Sequence, residues 1–365
     1  MGTSLLTNSA SMTALKTLRE LSSNMDNVQE RVSTGKRVNK AADNSAYWSI
    51  SSMMQSDKST LSAVSDGMAL GKSQISTANT AVNATKGNLD EINKSLATIY
   101  EKGEGDVQKI QKAVGGKLSA IKSAVSSSTL AEKNIIANEG QTVRVSGSYR
   151  REGESTYVDM IEVGSDALNF AKKGENGALD YSEGKLKLAL AGSTGADAAL
   201  KGAITAYEAA IAPTPGTPGD ETNPATPDTP KTDTEKRAAL AAFKDTLSEA
   251  GYSVQDFVEA DLSGVSAGGL EALGGYLQDI TTEVTQNVVA AGAELGVAEK
   301  QIDDQIGFVA NLMDAVDRGV GAMVDADMNA ESARLASLQV QQQLAIQALS
   351  IANQNSQNLL SLFRG

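Results

Sequence analysis

Apolar residues recur every seven positions along the first third of the chain. Tyr47, Met54, Leu61, Met68, Ile75, Val82, Leu89 and Leu96 keep this spacing without a break. Ile50, Val64, Ala78, Ile92 and Ile99 fill the complementary position, and Asp57, Gly71 and Thr85 interrupt it. Sustained over this many heptads, such a pattern predicts a coiled-coil seam. One helix from Asn44 to Glu101 would be about 85 Å long at 1.5 Å per residue. Asp43 is placed to cap its start, and Gly103 and Gly105 to end it. Met53, Met54 and Met68 read as seam filler.

A second seam lies far along the chain. Val288, Leu295, Ile302, Val309, Val316 and Met323 are again seven apart, with Gln305 and Gly319 as breaks. The simplest account zips the two seams together and holds the middle of the chain as an insertion. Residues 4–34 predict another helix, carrying Leu18, Leu21, Met25, Val28 and Val32 at seam spacing. Residues 106–135 place Val107, Ile110, Val114, Leu118 and Ile121 on one face, as a third bundle helix would. The stretch QTVRVSGSYRREGESTYVDMIEV, 141–163, alternates around a glycine-containing turn and predicts a β-hairpin. The fold class is therefore mainly α: a long coiled-coil bundle built from both ends of the chain, a small β-hairpin and an α/β insert.

The segment 335–363, LASLQVQQQLAIQALSIANQNSQNLLSLF, has no charge, no proline and no glycine. Its length permits a membrane span. Its ten Gln and Asn amides exclude one, because each polar group left in hydrocarbon costs several kcal/mol. A buried core helix and an oligomer interface both remain open. Leu338, Ala345, Ala352 and Leu359 form one stripe; Val340, Leu344 and Ile351 form another. An ordinary surface helix has one stripe and a charged back.

Between 171 and 275 the chain is rich in Gly and Ala. All six prolines fall between Pro213 and Pro230, which predicts an extended solvated loop flanked by short helices. Thr and Ser near these prolines are candidate sites for O-linked sugar.

Composition narrows the chemistry. The net charge of −13 excludes an ordinary nucleic-acid binder, which needs a basic footprint. The chain has no Cys and no His. A Ser-His-Asp triad, an HExxH protease and the usual zinc sites are therefore impossible. No cofactor site is read from the sequence. Asp303, Asp304, Asp314 and Asp317 recur near helical spacing and invite a metal reading, but a solvated face explains them better. The N-terminus lacks the basic start and apolar run of a secretory signal.

Two long motifs carry a family resemblance. RVSTGKRVNKAADN, Arg31–Asn44, and VDADMNAESARLASLQVQQQLAIQALSIANQNSQNLLSLFRG at the other end resemble the two terminal signatures of bacterial flagellins. The opening TNSASMTALKTL looks like that family's first helix, and DNSAYWSISSMMQSD is closest in look to alphaproteobacterial members. The resemblance implies no enzyme but a secreted structural subunit, which polymerises into the extracellular filament used for swimming motility. It implies that residues 1–42 with 327–365 form an inner coiled-coil polymerisation domain, whose segments are disordered in the free monomer. Residues 43–170 with 276–326 would form the helical core, and 171–275 a variable surface insert. A hook–filament junction protein shares both motifs; a signalling coiled coil would need its signature in mid-chain instead.

On this reading the expected polymerisation residues are Leu15, Leu18, Leu21, Met25, Val28, Leu338, Leu344, Ala345, Leu349, Ile351, Leu359, Leu362 and Phe363. Arg31, Gly35, Arg37, Asn39 and Asp43 would form the bend between layers. The expected partners are further copies of the chain, sibling flagellins, the type III export apparatus, a secretion chaperone on 325–365, and the filament cap and hook-junction proteins. Family members are bound by a Toll-like receptor through the far end of the first long helix. There LDEIN, 89–93, fits the pattern. Thr98, Tyr100 and Lys102 replace the family's two Arg and an exposed Leu, and only Glu101 is kept. The resemblance thus implies a degenerate receptor surface.

Overall fold

The computed structural model describes residues 9–101, 104–137, 142–152, 155–164, 166–174, 178–216 and 227–362. The order of elements is α1 (Ser9–Thr34), α2 (Ser45–Ala97), a 3-10 turn (Thr98–Glu101), α3 (Glu104–Ser127), β1 (Thr129–Leu130), β2 (Lys133–Asn134), β3 (Val143–Glu152) and β4 (Ser155–Val163). Then follow β5 (Lys172–Lys173), β6 (Leu179–Asp180), α4 (Lys187–Leu190), α5 (Ala196–Ile211), α6 (Asp233–Glu249), α7 (Val254–Glu259), α8 (Ala267–Val324) and α9 (Met328–Leu362). The chain divides into two compact units. The first joins 1–63 to 308–365, and the second is 64–307.

In the second unit the predicted seam is the core. Met68, Ile75, Val82, Leu89, Ile92 and Leu96 of α2 are buried, as are Val284, Val288, Leu295 and Ile302 of α8 and Val114, Leu118 and Ile121 of α3. Full burial of each large side chain stabilises the fold by about 1.5–3 kcal/mol. Lys72 pairs with Asp303, Asn79 donates to Glu299, and a Cβ on Gly292 would touch Val82. Residue numbers rise on α2 as they fall on α8, so the two helices are antiparallel.

The predicted hairpin forms from β3 and β4, with a register shift between Ser146 and Ser148. Val145, Ile161 and Val163 point inward and are buried. The apparent seam break at Gly71 is the seat of this hairpin: a Cβ there would lie 2.1 Å from Val145 Cγ1. Only glycine allows that approach.

Three expectations need correction. α3 ends at Ser127, short of 135, and the chain turns back at once through β1 and β2. That turn places Ala131 and Glu132 at positive φ, a conformation residues without Gly or Asn character rarely signal. The seam is also unevenly covered. From Leu61 onward it is buried, yet Tyr47 and Ile50 near the start of α2 are exposed in the first unit. Met53, read as filler, points to solvent as well.

Within 171–275 the short helices expected to flank the proline-rich stretch are present as α5 and α6. Capping boxes start α6 at Thr232 and α7 at Ser253, each satisfying two orphan backbone groups. Phe243, Leu247, Tyr252, Phe257 and Tyr276 are buried together with Leu200 and Ile204. Gln111 of α3 donates to the carbonyls of Phe257 and Ala260 at 2.7 and 2.9 Å, anchoring this segment to the bundle.

Candidate self-assembly surface

α1 and α9 pack on each other in the first unit. Ser11 donates to Asn353, and Arg31 pairs with Glu331, so the pair is antiparallel. Its centre is Leu21, Val28 and Leu338, with Val32, Leu335 and Ala345 packed around it. The two stripes of α9 thus separate. Leu338, Ala345 and Ala352 turn towards cover, while Val340, Leu344 and Ile351 stand in solvent. Leu344 is 58% exposed and Ile351 61%.

The remaining expected polymerisation residues divide the same way. Leu18, Met25 and Leu349 are half-buried, and Leu15 is exposed. The side chains of Leu359 and Leu362, and Phe363 altogether, lie outside the described residues. The structure adds exposed apolar side chains that the seam pattern did not select: Met12 on α1, Trp48 on α2 and Ile346 on α9. Their signal was weak because each falls off the heptad positions that define the seam.

The connectors between the helices form a braced joint. Gly35, at φ +69°, ends α1 by donating to the Arg31 carbonyl at 2.8 Å, as a helix-ending glycine does. Its own carbonyl accepts from the Ala326 N–H at 2.9 Å, and Lys36 bridges to Asp325 as in a short antiparallel sheet. The Arg37 N–H donates to the Val324 carbonyl, and its guanidinium to the Met323 carbonyl at 3.0 Å. That guanidinium also lies 6.0 Å from the centre of the Tyr47 ring.

Asp43 does not cap α2. Asn44 does, its side-chain oxygen accepting from the Tyr47 N–H at 3.1 Å. Asp43 instead accepts from the N–H groups of Asn39 and Lys40, which hold its carboxyl below the usual range. Glu30 is lowered too, first by the Asn39 amide and then by Lys40. Arg31, Gly35, Arg37, Asn39 and Asp43 all make contacts in this joint, and Glu30 and Asn44 do so as well. Two short acceptors sit side by side in the sequence at 43 and 44, and spacing alone cannot choose between them.

Three of the four aspartates that invited a metal reading are paired with lysines. Asp303 meets Lys72, Asp317 meets Lys58, and Asp304 meets Lys300. Among the described residues no group of His, Cys, Asp or Glu is arranged to hold a metal, and no helix is long and apolar enough to cross a membrane. The Thr98 hydroxyl donates to the Ser95 carbonyl in the turn that ends α2. Of the other residues at the degenerate receptor surface, Lys102 and the side chains of Tyr100 and Glu101 lie outside the described residues.

Residues 5–139 match the bacterial flagellin N-terminal helical region, and residues 278–363 the bacterial flagellin C-terminal helical region. A flagellin of Bartonella bacilliformis is 40% identical over 368 residues, covering 96% of this chain and 97% of that protein. The chain belongs to the flagellin family. It is a structural subunit of the bacterial flagellar filament. A flagellin of Brucella melitensis is 32% identical, and flagellin C of Rhizobium meliloti 34%, each covering 99% of both chains. The alphaproteobacterial look of the segment after the bend agrees with these relatives. The long helices that the heptads require are thus the flagellin N- and C-terminal helical regions.

Proposed function

We propose that the chain enters its filament through the uncovered faces of α1 and α9, and that this pair becomes firmly folded only on assembly. The observation that carries this reading is the outward stripe of Val340, Leu344 and Ile351 on a helix without charge on that side. Magnitudes support it. Among the described residues the α1–α9 pair buries Leu21, Val28 and Leu338, each worth at most about 1.5–3 kcal/mol. Ordering helices of 26 and 35 residues costs on the order of 1 kcal/mol per residue before hydrogen bonds are credited. One subunit alone is a poor match for that cost, and neighbouring copies would close the gap.

In this layout 1–42 with 327–365 form the inner layer, 43–170 with 276–326 the supporting core, and 171–275 the outer face. The polymer acts mechanically and not as an enzyme. It lies outside the cell, reached through the flagellar type III export apparatus with a chaperone on 325–365. Filament cap and hook-junction proteins meet its two ends, and sibling flagellins are acceptable neighbours. The amide-rich remainder of α9 suits a wet inner surface, because Gln and Asn both donate and accept. The changes at Thr98, Tyr100 and Lys102 remove two bidentate donors and an apolar anchor, so the monomer should activate the Toll-like receptor poorly.

Leu344→Lys tests the assembly reading. The side chain is exposed in the single chain, so the monomer should keep its helix content. In a packed contact the unpaired charge costs several kcal/mol and repeats in every subunit, so seeded filament growth should stop. Growth at the wild-type critical concentration would overturn the proposal.

A further inference from the structure

The chain has ten methionines and no cysteine, so thioethers are its only sulfur chemistry. Their placement is uneven. Met68 is fully buried in the seam, whereas Met12 is 65% exposed, Met53 54% and Met160 52%. Each of these three stands beside another exposed apolar residue. Leu15 follows Met12 by one turn of α1, Ile50 precedes Met53 by one turn of α2, and Val158 shares the outer face of β4 with Met160. The methionines therefore occupy apolar patches that a single chain leaves uncovered.

We propose that Met12, Met53 and Met160 are oxidation sites that gate the entry of a subunit into the polymer. The co-reactant is a two-electron oxidant of the hydroperoxide class. The thioether sulfur attacks the terminal peroxide oxygen, the O–O bond breaks, an S–O bond forms, and hydrogen peroxide leaves as water. The sulfur loses two electrons, the peroxide gains them, and no backbone bond changes. The product places a polar, chiral sulfoxide in an apolar patch. In a free subunit this changes little, because water solvates the new oxygen. In a packed contact the same oxygen is stranded without a donor. Oxidation would thus tax assembly and spare the fold.

This inference rests on the assembly reading above, and the experiment separates the two. Monomer is oxidised to about half conversion with hydrogen peroxide, then seeded and pelleted, and sulfoxide at each methionine is measured by peptide mass spectrometry. The exposed sites should convert before Met68. The pellet should be depleted in sulfoxide at Met12, Met53 and Met160 relative to the supernatant, by about tenfold for a loss of roughly 1.4 kcal/mol per subunit. Treatment of the supernatant with methionine sulfoxide reductases of both epimer specificities should return it to the pelletable pool. Equal sulfoxide in pellet and supernatant, or no recovery after reduction, overturns the proposal. No pellet from untreated protein overturns the assembly reading instead.

Discussion

The Lys72 ammonium lies 2.6 Å from the Asp303 carboxylate, joining α2 to α8 across the edge of the seam. In the first unit Lys58 and Asp317 make the same kind of pair at 2.7 Å, two heptads away in sequence on both helices. A seam of similar apolar residues tolerates slippage by one heptad. Repeated ion pairs at fixed spacing oppose it, because a slipped register strands each partner.

Charge reversal tests this register lock. Lys72→Asp and Asp303→Lys should each lower the thermal midpoint, and the double variant should recover most of the loss. A double variant that falls by the sum of both would remove the pairwise role. Hydrogen bonding to Asp303 holds Lys72 above the ordinary ammonium range. The contribution of the Lys72 charge is therefore complete at neutral pH and fades as pH rises past about 10.

Gly71 and Gly87 lie on the same helix and should respond oppositely to alanine. At Gly71 the new methyl collides with Val145, so the hairpin must lift, costing about 1–3 kcal/mol. At Gly87 an added Cβ meets no described atom within 4 Å beyond its own stretch of helix, and helix propensity alone should raise stability by about 1 kcal/mol. Chemical unfolding of both variants decides it. Gly71→Ala should also speed amide exchange in β3, and unchanged exchange there would mean the hairpin is seated elsewhere.

Much of this was legible beforehand. The heptads located α2 and α8 because a buried stripe in a long helix has no other way to be written. What periodicity cannot show is which stretch of a stripe has company. Tyr47 and Leu61 occupy equivalent heptad positions, yet only Leu61 is covered. Gly71 read as a flaw because its reason, Val145, lies in a distant strand. The end of α3 was misjudged for a related cause: Ile135 and Ile136 continue the apolar pattern, but their burial comes after the chain has reversed.

Thr85 interrupts the seam with a hydroxyl that is wholly buried and lacks a hydrogen-bond partner among the described residues. A buried unsatisfied group costs about 1–3 kcal/mol. Thr85→Val keeps the branched shape and removes that group, so it should raise unfolding free energy by about 1 kcal/mol. A loss of stability would show that the hydroxyl binds a buried water.

The joint should loosen in acid. Glu30 and Asp43 are both held below their ordinary range in the folded chain. Their bracing is complete above the unfolded carboxylate range, about pH 5, and is lost as pH falls through the depressed folded values. Amide signals of Asn39 and Lys40 should follow this transition in NMR titration. Asp43→Asn should abolish it for these two amides; an unchanged titration in that variant would assign the step to another group.

The hydrogen bond from Ala326 to Gly35 also carries a consequence for synthesis. Its partners lie far apart in the sequence and are made at widely separated times, at roughly 5–20 residues per second. No nascent or prematurely stopped chain can close the joint, however well its long helix has formed. Closure therefore certifies length: only a polypeptide translated past Ala326 can tie its beginning to its end.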